Sequence, residues 1–77
     1  MIDDEATREA AVRAAKAHAK AASDVVRFVE ELAGPPDPAV IAEYANLLAR
    51  EESTFAERTE ALRAAGLSVP SIAADEG

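Results

Sequence analysis

Glycine and proline interrupt this chain in only two interior places, Gly34-Pro35-Pro36-Asp37-Pro38 and Gly66 to Pro70. Between and before them lie two long stretches, about 3–33 and 38–65, built mostly from alanine, leucine, glutamate, arginine and lysine. These are the strongest helix formers, whereas Gly and Pro are the residues that stop a helix. The pattern predicts an all-α hairpin with one helix over 3–33, a turn at 34–37 and a second helix over 38–65. A connection this short makes the helices antiparallel neighbours.

The ends of the second stretch carry their own signals. Asp37 can accept hydrogen bonds from free helix amides, and Pro38 suits a first helical position. Gly66 fits the left-handed residue that closes a helix, with Leu67 folding back on Leu62. The acidic cluster Asp3-Asp4-Glu5 favours the start of the first helix through the dipole. Thr54-Phe55-Ala56-Glu57 reads as a capping box that could open a third helix after a break near Glu52-Ser53. The stripe Ile41, Tyr44, Leu48, Glu51, Phe55, Arg58, Leu62 and Ala65 keeps its 3-4 spacing through that point, which favours one helix.

Composition sets the limits on function. Of 38 apolar residues among 77, 20 are alanine, so few side chains can bury much surface. A chain this short does not build a deep enzymatic cleft of its own. Its formal net charge of −7 argues against nucleic-acid partners, because phosphate contacts need a surplus of Lys and Arg. Cysteine is absent, so neither a disulfide framework nor a thiolate metal site is available. The acidic start and the lack of a long apolar run predict a cytoplasmic protein without membrane contact. Six Arg against two Lys, with so much alanine, match the bias of high-GC bacterial genomes.

The first helix is apolar over more than half its girth. One stripe, Ala11, Ala15, His18, Ala22, Val25, Val29 and Leu32, is expected to face the second helix. A flank that includes Ala10, Ala14, Ala17, Ala21 and Phe28 exceeds what one partner helix covers. That flank, with Leu67, Val69 and Ile72 of the tail, forms the expected interface of a homodimeric four-helix bundle. Residues 67–77 read as a C-terminal tail whose last residues fray.

Three polar residues fall on the apolar seam. With a turn centred on the prolines, paired residue numbers sum to about 71, which places His18 opposite Ser53 between Glu51 and Phe55. A His18–Glu51 hydrogen bond that sets the register is the leading reading, with Arg58 running its stem over Ala11 and Ala15. His18 and Glu51 are also the candidate metal ligands, if a two-fold axis doubles them. However, the Glu-x-x-His motif of di-metal bundles is absent, because Ala15 stands three residues before His18. No nucleophile is arranged for acid–base catalysis, and no phosphate loop or zinc motif occurs.

The sequence thus predicts a non-enzymatic, self-associating interaction module with no cofactor, and leaves room for an unidentified protein partner. An acidic inhibitor or antitoxin-like protein that binds a basic protein surface is the first alternative, resting on the net charge and on Glu51, Glu52, Glu57 and Glu60. Arg50, Arg58 and Arg63 are interleaved with those acids and partly neutralise the row. A metal-binding helical bundle using His18 and Glu51 is the second alternative.

Overall fold

A computed structural model describes residues 4–67. The tail positions Val69 and Ile72 lie outside the described residues. Two helices, α1 (Asp4–Glu30) and α2 (Pro38–Ala64), pack against each other as an antiparallel pair, and no strand is present among the described residues.

The boundaries of α2 follow from local chemistry. The Asp37 carboxylate accepts from the Val40 amide at 2.9 Å, and Pro38 opens the first turn. At the other end Gly66 adopts φ +91, which turns the chain back on the helix. The Gly66 amide donates to the Arg63 carbonyl at 2.9 Å and the Leu67 amide to the Leu62 carbonyl at 2.8 Å. That pair of bonds is the Schellman closure.

α1 ends three residues earlier than its composition predicts. The Leu32 amide reaches the Val29 carbonyl at 3.2 Å, a tightened last turn, and Gly34 takes φ +90. Residues ahead of Pro35 and Pro36 avoid the α conformation, so the chain leaves the helix before the prolines arrive.

α2 passes through Glu52-Ser53 without a break. Thr54 is not a cap. Its hydroxyl lies 2.9 Å from the Arg50 carbonyl and 3.1 Å from that of Glu51, the back-bonding seen when threonine sits inside a helix.

The seam between the helices is built from small residues. Among the described residues Ala21 is 1% exposed, and Ala11 and Thr54 are also buried. Among the described residues no large side chain is fully buried. Along α1 the inward positions are Thr7, Ala11, Ala14, His18, Ala21, Val25 and Phe28, all buried or half-buried. This is a heptad-like spacing of four and three. It is rotated from the stripe read off the sequence, with Phe28 turned inward and Val29 outward. The interhelical neighbours His18–Thr54 and Phe28–Tyr44 place His18 opposite Thr54 rather than Ser53. Phe55 is half exposed and stands beside the seam rather than in it.

Candidate functional site

The polar groups of the seam meet near its middle. His18 Nδ1 stands 3.2 Å from Thr54 Oγ1. A hydroxyl has one proton, and both carbonyls beside Thr54 can only accept. Thr54 therefore donates to the main chain and accepts from His18, which assigns the proton to Nδ1. In neutral His18 the lone pair then sits on Nε2.

Phe55 stands beside this pair. Its ring meets the His18 ring edge-on, with centroids 5.6 Å apart, and the Arg58 guanidinium lies 5.0 Å from its centroid. Arg58 Nε is shut off from water and has no hydrogen-bond partner. The expected His18–Glu51 bond is replaced by the bond to Thr54, since the rotated register brings the hydroxyl rather than the carboxylate to the ring. Glu51 is half-buried on the same helix. Among the described residues, no group of three or more His, Cys, Asp or Glu side chains is arranged to hold a metal ion.

The two broad sides of the hairpin differ. One is charged and is tied across by Asp24, whose side chain is 14% exposed. Lys20 Nζ at 3.4 Å, Arg27 Nη1 at 3.3 Å and Arg50 Nη1 at 3.8 Å converge on its carboxylate. Arg50 reaches over from α2, so one carboxylate links both helices. Ala17 is exposed on this side, Ala10 is half-buried there, and both lie on the same edge of α1 as Asp24.

The other side is apolar. At 100° per residue, Val12, Ala15, Ala19, Ala22, Val26 and Val29 fall within an arc of about 100° on α1, just outside the seam. Ile41, Leu48, Phe55 and Leu62 occupy the matching edge of α2. A groove of about 240 Å³ joins Val29 to Ile41 at the loop end, with Leu32, Pro36 and Tyr44 around it. At the open end, a cleft of about 530 Å³ brings Val12 and Ala15 together with Leu62 and Leu67. Val26 is 55%, Val29 53%, Ile41 54% and Phe55 50% exposed.

The residues picked from sequence as an interface are thus distributed over different surroundings. Ala14 and Ala21 lie in the seam, and Phe28 stacks on Tyr44 with centroids 6.0 Å apart. Ala10 and Ala17 line the charged side, and Leu67 is exposed beyond the α2 cap. Sequence reasoning missed Thr54 and Asp24. The signals were there: Thr54 continues the heptad spacing of the seam, and Lys20 and Arg27 flank Asp24 at the distances where helical side chains meet.

No helix of the described residues is long and apolar enough to cross a membrane. No protein-family model, curated protein or solved structure matches this chain.

Proposed function

We propose that this protein is a non-enzymatic protein–protein interaction module that joins with itself, two hairpins forming a four-helix bundle. One observation carries the reading: the seam of the hairpin buries alanine and threonine but no large side chain. Burial stabilises by about 25 cal/mol per Å² of apolar surface, and a methyl group supplies little of it. The larger apolar side chains are left outside, where only a further surface can cover them.

The polar groups of the seam support a structural role. Thr54 spends its proton on a main-chain carbonyl, and His18 Nδ1 spends its own on Thr54. The acidic-inhibitor alternative rests on the net charge of −7 and on the row Glu51, Glu52, Glu57 and Glu60, of which Glu60 is paired with Arg63 at 2.9 Å. Sedimentation equilibrium at micromolar concentration tests the proposal. A mass twice that of the chain is expected, and a cooperatively folded monomer would refute self-association.

A further inference from the structure

We infer that the surface through which two copies join is the apolar broad side, the strip carried by Val26 and Val29 on α1 and Ile41, Leu48 and Phe55 on α2. The inference rests on the self-association reading and specifies its surface and its occupant, a second copy of this chain.

Charge selects the surface. Each copy carries a net −7, so two copies repel unless they meet where little charge is placed. From Val12 to Val29 the α1 strip contains only alanine and valine at successive 3-4 steps. The matching α2 strip, from Ile41 to Leu62, contains one charged residue, Glu52. The opposite side holds Asp24 with its three cations, together with Glu31, Glu43 and Glu57. Burying those groups would strip water from charges already paired at the surface.

Area selects the occupant. Each helix has 27 residues, and a two-helix layer about 40 Å long and about 20 Å wide presents on the order of 800 Å² on one side. That is the share one partner contributes to an interface of standard size, about 800 Å². A two-fold axis through the strip sets the same apolar side against itself and leaves both charged sides in water. Such isologous pairing is the commonest form of homodimer. It also encloses Phe55 and the half-exposed valines in a core that the single hairpin lacks.

The test compares three single variants with the unaltered full-length chain by sedimentation equilibrium and circular dichroism. Val26→Glu and Val29→Glu place a charge on the strip. Both positions are more than half exposed in the hairpin, and glutamate is a better helix former than valine, so the fold of one hairpin is not harmed directly. Ala17→Glu places the same charge on the opposite side. The expected result is that the two valine variants raise the dissociation constant by on the order of a hundredfold or more, while Ala17→Glu leaves it unchanged. Unfolding of the valine variants, with Ala17→Glu still folded and dimeric, also supports the inference, because a charge at an uncovered surface position does not unfold a helix. If the unaltered chain is a dimer but survives Val26→Glu and Val29→Glu, or is split by Ala17→Glu, the surface is wrong while self-association stands. If the unaltered chain is monomeric, self-association itself fails, and the strip belongs to a different protein.

Discussion

The imidazole of His18 donates through Nδ1 to the hydroxyl of Thr54, and that hydroxyl in turn donates to a carbonyl of its own helix. This relay joins α1 to α2 at the middle of the seam and leaves no proton between them uncommitted. It fixes the register more tightly than apolar contacts among alanines could, because a methyl group fits many neighbours and a hydrogen bond fits few.

A double-mutant cycle measures the relay. Thr54→Val keeps shape and helix propensity but removes the acceptor. His18→Leu removes the donor. Each single change, followed by urea unfolding at one fixed protein concentration, should cost about 1–2 kcal/mol. The two should couple by about 1 kcal/mol, since both report the same bond. Additivity within about 0.3 kcal/mol would show that the contact carries no energy.

How much of this was legible in the sequence depends on how local the chemistry is. Asp37, Pro38 and Gly66 act within a few residues of themselves, and the ends of α2 fall where they predict. Continuity through Thr54 was legible too, because the apolar spacing never changes phase. The facing angle was not. α1 is alanine or valine over so wide an arc that its composition fits several rotations equally well, and the structure settles on the one that turns Phe28 onto Tyr44. The Asp24–Arg50 link depends on that rotation, so no spacing within either helix could have revealed it. The dipolar asymmetry between one charged and one apolar side becomes visible only once both helices have been placed.

Asp24 is the only residue among those described whose carboxylate takes ion pairs from both helices. Exposed pairs are individually weak, but Asp24→Asn would leave Lys20, Arg27 and Arg50 facing one another without a counter-charge. The expected loss is about 1 kcal/mol at low salt, falling towards zero in 1 M sodium chloride, where the screening length is about 3 Å. An equal loss at both salt concentrations would mean that packing, not charge, holds this side together.

Gly66 closes α2 at φ +91 with no atom within 4 Å of the place a Cβ would take. Space is therefore not the obstacle to a side chain; the backbone is. Gly66→Ala should cost about 1 kcal/mol through the left-handed conformation alone, and Gly66→Asn less, because asparagine tolerates it better. Thermal unfolding of the two variants at equal concentration checks the order. A neutral Gly66→Ala would show that the Leu67–Leu62 closure does not form in solution.

Arg58 offers the opposite expectation. Its guanidinium gains about 0.5–1 kcal/mol over the Phe55 ring, yet its Nε is buried without a partner, which costs about 1–3 kcal/mol. The unpartnered group outweighs the ring contact. Arg58→Met keeps the length of the stem and the helix propensity while removing both effects, so it should leave stability unchanged or raise it by up to about 1 kcal/mol. Arg58→Ala also removes the stem and should destabilise by about 1 kcal/mol, through packing rather than charge. Urea unfolding of the two variants separates stem from head group. A loss on Arg58→Met as large as that on Arg58→Ala would show that the guanidinium itself is what the seam needs, and would turn attention to an anionic group that Nε meets in the assembled protein.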